Sequence, residues 1–198
     1  MQSIEDAGCA FGDKCEVHLS SGVLFDLLAP NPALINLRDA AKALGRICRW
    51  GGRIIDEAEF FSVAQHSVYV LDVASSWGAS QATKLAALWH DAAEWLTYDW
   101  PRPVKRMYPE LKAIEHTLQE LIYRELGLYP HDYDADLIHR ADNAACRAEA
   151  RIICRGSRSW NWGDTPEIEL KTFTDPEDCR SPREAFEMFW TRHCHLVS

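Results

Sequence analysis

The chain has 198 residues, 47% of them hydrophobic and eight of them Trp, enough to bury one sizeable core in a single globular domain. Thirty acidic against 21 basic residues leave a formal net charge of -9, which disfavours nucleic-acid polymers and anionic membranes as partners but not a small anion held by a metal. The seven cysteines, at 9, 15, 48, 146, 154, 179 and 194, are odd in number, scattered and without a C-x-x-C pair, so they read as reduced thiols of a cytoplasmic protein and exclude a disulfide framework or zinc ribbon.

The start, Met1-Gln2-Ser3-Ile4-Glu5-Asp6, lacks the apolar core of a signal peptide, and no apolar run is long enough to span a membrane. Residues 1–15 have no periodicity and are expected to form a flexible tail; Cys9, Cys15 and His18 lack the spacing of common metal sites. The domain is expected over 16–198.

Two β-favouring runs between Glu16 and Asp26 flank Ser20-Ser21-Gly22, which predicts a hairpin. Pro30 and Pro32 then break the chain. Asn36 as N-cap and Asp39 three residues on predict a helix whose apolar face is Leu37, Ala40, Ala41, Leu44 and Ile47-Cys48, ending at Arg49-Trp50-Gly51-Gly52. In isolation Arg49 and Trp50 read as a surface charge and a core anchor.

A second helix follows from Phe60 to Trp77-Gly78, with Val63, Val70, Leu71 and Ala74 at helical spacing and His66 on or beside that stripe. A lone His there is either a packed core residue or a ligand. A third helix is expected from the N-cap Ser80 through His90-Asp91 to about Leu96. On one continuous helix His90, Asp91 and Glu94 would border a single wedge, and such groups are costly to bury unless a cation binds them.

Trp100-Pro101-Arg102-Pro103 stops that helix, and Val104-Lys105-Arg106 offers a basic turn suited to phosphate oxygens or to solvent. Pro109 to Gly127 predicts an amphipathic helix with Leu111, Ile114, Leu118, Leu121, Ile122 and Leu126 inward, and Glu115, Gln119, Arg124 and Glu125 outward. A longer helix opens at Asp134 and runs to about Arg155-Gly156, carrying Asp142 among small residues, where a carboxylate needs a partner.

Residues 156–180 read as a long surface excursion whose Trp160 and Trp162 either pack over the core or line a pocket rim. Ser181-Pro182-Arg183-Glu184 starts a C-terminal helix over 181–196, on which His193 and His195 diverge and do not form a metal pair. There is no internal repeat, P-loop, G-x-G-x-x-G or G-x-S-x-G pattern.

His66, His90-Asp91 and Asp142 together supply two imidazoles and two carboxylates from three predicted helices. That donor set suits one octahedral divalent cation with open positions, whether Mn, Co, Fe, Ni, Mg or Zn.

His, then His-Asp, then Asp on successive helices resembles the HD-domain metal-dependent phosphohydrolases. Around them stand Arg49-Trp50, Ala64-Gln65-His66-Ser67, His90-Asp91-Ala92-Ala93-Glu94, Asp99-x-Pro101-x-Pro103-Val104-Lys105 and Ala141-Asp142-Asn143. These words resemble the branch of bacterial 5'-deoxynucleotidases and phage deoxynucleoside triphosphate triphosphohydrolases, dATP-specific enzymes among them, over roughly residues 17 to 155.

The resemblance implies an all-α, HD-type helical bundle with a small N-terminal β-hairpin. It implies His66, His90, Asp91 and Asp142 as metal ligands, Glu94 as general acid/base, Arg49 and Lys105 on phosphate, and Trp50 and Asp99 against the deoxyribose. It also implies a homo-oligomer. Gln65, where the monophosphate-hydrolysing branch tends to carry Glu, favours release of triphosphate from a dNTP over a 5'-deoxynucleotidase on dNMPs. A non-catalytic nucleotide-binding regulator is the competing expectation, and it leaves Glu94 without a use.

Overall fold

The computed structural model describes residues 15–198, so the tail expected over 1–15 lies, apart from Cys15, outside the described residues. The fold is all-α with one small antiparallel hairpin, β1 (Glu16–His18) and β2 (Leu24–Asp26), in which Val17 faces Phe25. Gly22 makes the turn with φ +87°, a value an L-residue adopts only with strain. Phe25 is fully buried and meets Trp95, with ring centroids 6.3 Å apart, which fastens the hairpin to the bundle.

Helix α1 (Leu37–Leu44) begins as predicted, with Asn36 Oδ1 accepting from the Asp39 N–H at 3.0 Å. It stops sooner than predicted, at Gly45 and not at Arg49. A Cβ on Gly45 would lie 2.8 Å from the Pro182 carbonyl oxygen, so the backbone of the C-terminal helix approaches too closely for a side chain. Gly45→Ala is therefore expected to destabilise the fold by about 1–3 kcal/mol, read as a lower urea midpoint; an unchanged midpoint would refute the close approach.

Beyond Gly45 the chain pairs with the segment before the next helix. Arg49 N–H donates to Phe61 O at 2.8 Å and Val63 N–H donates to Ile47 O at 3.1 Å. This pairing, which no periodicity encodes, brings Arg49 beside the start of α2 (Val63–Ser76). Helix α2 is capped by Ser62, whose Oγ accepts from the Gln65 N–H at 3.1 Å. It is buried along most of its length and packs against α3 (Gln81–Leu88), α7 (Ala135–Ile153) and α8 (Pro182–Val197).

The third predicted helix is not continuous. Helix α3 ends at Leu88, residues 89–93 form tight turns, and the four-residue α4 (Glu94–Thr97) follows. The side chain of Gln119, on α6 (Pro109–Glu125), holds this interruption. Its Nε2 donates to Trp89 O at 2.7 Å and its Oε1 accepts from the Ala93 N–H at 3.1 Å, so backbone groups the break frees are satisfied from another helix. Gln119 is thus not the outward residue that its helical position suggests.

The basic turn at 102–105 is a short helix, α5 (Arg102–Lys105). Helix α7 starts at the Asp134 cap and α8 at a Ser181–Glu184 capping box, both as expected. The 156–180 excursion is anchored to α2: Phe173 lies against Phe61 and Tyr69 at 5.1 and 5.3 Å, and Gln65 binds its end at 178–180. No helix among the described residues is long and apolar enough to cross a membrane, and every described cysteine is a free thiol.

Candidate metal centre

His66 lies on the first turn of α2 and is fully buried. Its Nδ1 is 2.7 Å from Glu149 Oε1, an acceptor that fixes the ring with the proton on Nδ1 and Nε2 turned the other way. His90, in the turn after α3, places Nδ1 2.9 Å from Ala87 O, which fixes the same tautomer.

One ring nitrogen each of His66 and His90 and a carboxylate oxygen of Asp91 all lie within 4.8 Å of one another. Asp91 Oδ2 is 3.2 Å from His90 Nε2 and 3.7 Å from His66 Nε2. Asp142 Oδ1, from α7, stands 3.2 Å from His66 Nε2 and 3.9 Å from His90 Nε2 without completing a hydrogen bond to either. Both Nε2 atoms are consequently buried with no hydrogen-bond partner. Two orphaned imidazole nitrogens beside two carboxylates, each ring braced through its other nitrogen, fit a divalent cation.

Glu149 escaped the sequence reading. It sits seven residues after Asp142, two turns along the same face of α7, and that spacing was the available signal. It is fully buried, braces His66, and has Oε2 3.6 Å from Arg49 Nε. Glu149→Gln, which keeps the volume and an acceptor but not the charge, is expected to weaken divalent-metal affinity about 10–100-fold. Competition against a chelator of known affinity measures this, and unchanged affinity would remove Glu149 from the centre.

Arg49, expected on phosphate, reaches three carboxylates. NH1 is 3.3 Å from Asp91 Oδ2, NH2 is 3.9 Å from Asp142 Oδ1, and Nε faces Glu149. Arg102, also missed, donates to Asp142 Oδ2 at 3.1 Å and Asn143 Oδ1 at 2.8 Å.

These partners decide the protonation states. Burial pushes the Asp91 carboxyl up, but His90, Arg49 and His66 outweigh it and hold the group well below the usual range. Burial likewise opposes ionisation of Asp142, and His66 and His90 overcome it. The His66 ring is disfavoured as a cation by burial and by Arg49, yet Glu149 and Asp142 raise it to about 9.

Glu94 opens α4 and is buried. Its Oε1 accepts from Lys105 Nζ at 2.9 Å, while Oε2 has no partner. Burial, with Asp91 and Asp99 adding to it, raises this carboxyl well above its usual value against the pull of Lys105 and Arg49. Lys105, the other expected phosphate contact, is held between Glu94 and Glu115, the latter at 3.0 Å. Glu115 also accepts from Thr97 Oγ1 at 3.1 Å, so it faces the site and not, as predicted, the solvent.

A cavity of about 1160 Å³ is lined by Arg49, Asp91, Glu94 and Asp142 and by Trp50, Trp160 and Trp162, while His66 and His90 are not among its lining residues. Asp99 and Lys105 line it as well. Trp50 sits in the left-handed region at φ +60°, a conformation that costs a non-glycine residue about 1–3 kcal/mol and that functional sites tend to retain. Gln65 is absent from the lining. Its amide donates to Tyr69 Oη and Asp178 O and accepts from the Arg180 N–H, so it is a clamp on the excursion and says nothing about phosphate number.

No protein-family model matches the chain. It is 34% identical over 106 residues to the uncharacterized protein YfdR of Escherichia coli, and spans about half of that relative, 54% of its length. It is 34% identical over 142 residues to the uncharacterized protein RCAP_rcc00048 of Rhodobacter capsulatus, covering 67% of this chain and 70% of that one. At that identity and coverage, the chain belongs to the same family as the Rhodobacter capsulatus protein.

Proposed function

We propose that the chain is an HD-type, metal-dependent phosphohydrolase of 2'-deoxynucleotides that releases triphosphate from a dNTP. The observation that carries the reading is the pair of orphaned Nε2 atoms of His66 and His90 beside Asp91 and Asp142, two carboxylates that line a large cavity together with Glu94, whose Oε2 is unpartnered.

His66, His90, Asp91 and Asp142 would hold the cation, which supplies charge stabilisation for a phosphoryl oxygen and lowers the pKa of water. The surroundings of Glu94 favour its protonated form, and it would deliver that proton to the departing 5'-oxygen of the deoxynucleoside. Lys105, itself shared with Glu115, holds its Oε1, so the free Oε2 is the one that acts. Trp50 and Asp99 are assigned to the sugar by resemblance. Arg53 and Arg155 also line the cavity and form no ion pair among the described residues, which supports a substrate with more than one phosphate.

The test is a panel of dNTPs and dNMPs with Mn²⁺ or Co²⁺, products separated by ion-exchange chromatography. Tripolyphosphate and deoxynucleoside from a dNTP are expected. Orthophosphate from a dNMP alone would replace the reading with a 5'-deoxynucleotidase, and turnover of neither class with any of several metals would refute both.

A further inference from the structure

Tryptophan is an expensive side chain to leave open to water, yet Trp160 is 43% exposed in the cavity wall. Its ring lies 6.0 Å from Trp50 at 46° and 6.0 Å from Trp162 at 33°. Neither neighbour covers it face to face. The wall is nonetheless held in place: Trp162 Nε1 donates to Ser157 O at 3.4 Å, and Arg147 and Arg151 both pair with Glu167 just beyond it. Asn161 Oδ1 accepts from the Gly163 N–H at 2.9 Å, fixing the turn that carries both indoles.

Trp50 links this wall to the carboxylates. It is adjacent to Arg49, it is held in the left-handed region, and its Nε1 is buried without an acceptor. An indole N–H desolvated in this way wants an acceptor from outside the chain. A molecule in the cavity would therefore meet the carboxylates of Asp91, Asp142 and Glu94 and, through Trp50 beside Arg49, the open aromatic face of Trp160.

We propose that Trp160, with Trp50 and Trp162 beside it, is a stacking subsite for the nucleobase and makes the protein prefer purines. The proposal rests on the nucleotide-hydrolase reading for its substrate class. A nucleobase offers a flat π face, and a purine covers more of the indole than a pyrimidine. Base-on-aromatic stacking is worth about tenfold or more in affinity per base. Trp160 is a specificity-determining residue here, not a catalytic one, because nothing places it near the reacting phosphorus.

The experiment reads stacking separately from turnover. The 2'-deoxyriboside of 2-aminopurine, excited beyond tryptophan absorption, is titrated with the metal-loaded full chain, and its emission is quenched when it stacks. Quenching is expected with wild type, about tenfold weaker binding with Trp160→Ala, and recovery with Trp160→Phe, each variant folded by circular dichroism. In parallel, Trp160→Ala should raise KM for purine dNTPs more than for pyrimidine dNTPs. If Trp160→Ala quenches the probe as wild type does, the stacking subsite is overturned even where nucleotides are hydrolysed. If wild type quenches the probe but no nucleotide is turned over, the hydrolase reading fails and the stacking subsite stands.

Discussion

Asp91→Ala is expected to bring metal-dependent turnover to background and to leave the purified protein without bound divalent metal by elemental analysis. The reason is the position of one atom. Asp91 Oδ2 stands within 3.2 to 3.7 Å of His90 Nε2, Arg49 NH1 and His66 Nε2, so removing it strips the site of its shared anion. Two imidazoles and a buried guanidinium would then face one another with less negative charge between them. Removing one partner of a buried charged network costs about 3–5 kcal/mol, so a lower melting temperature should accompany the loss. Asp91→Asn keeps the volume and separates the effects, because it should lose metal with a smaller fall in stability. Asp142→Ala should also lose turnover, and it frees Arg102 as well. The helical signal should survive in all three, since Gln119 spans the break between α3 and α4 independently of these carboxylates. Turnover that persists after chelator stripping, or an Asp91→Ala protein that retains its metal, would refute the centre.

What the sequence made legible follows the range of the interactions involved. The caps of α1, α3, α7 and α8 are contacts over two to four residues, and Asn36, Ser80, Asp134 and Ser181 could be read directly. The hairpin came from an equally local pattern, whereas the all-α class was what the resemblance implied. The end of α1 could not be read, because Gly45 is dictated by the backbone of α8, more than 130 residues away. The break at 89–93 was hidden for the same reason: its satisfaction comes from Gln119, and the apolar pattern of Leu88, Trp95 and Leu96 is compatible with an unbroken helix.

The site was legible as a set of residue types and not as an arrangement. His66, His90, Asp91 and Asp142 do meet, as the donor chemistry demanded, and Glu94, Asp99 and Trp50 line the same cavity as Asp91 and Asp142. The partners of the basic residues were not legible, because a sequence shows charges without them. Arg49 and Lys105 looked available to phosphate and are already engaged by Asp91, Glu149, Glu94 and Glu115. Glu149 was readable in principle from its seven-residue spacing to Asp142, a period that keeps both carboxylates on the inner face of α7.

Glu94→Gln is expected to lower kcat by about 10²–10⁴-fold, the usual contribution of a general acid, with metal content and KM close to wild type. The substitution preserves the shape of the site, since an amide oxygen can still accept from Lys105 in place of Oε1. What it removes is the transferable proton on the other oxygen, the one with no partner. The same cause fixes the sign of the pH dependence. Burial and the carboxylates of Asp91 and Asp99 favour the protonated form of Glu94, so the rate should hold through the range where an ordinary carboxyl has already ionised and fall on the alkaline side as this one finally does. In Glu94→Gln that alkaline limb should vanish along with most of the rate. A ligand role predicts the opposite pair of results, metal lost by elemental analysis and no selective change in the profile. Glu115→Gln, which removes the carboxylate that shares Lys105 without touching Glu94, should shift the limb towards acid pH, because the cation is then left wholly to Glu94 and opposes its protonation more strongly. A wild-type rate in Glu94→Gln would leave the free oxygen without a chemical task and would sink the assignment of Glu94 as the acid.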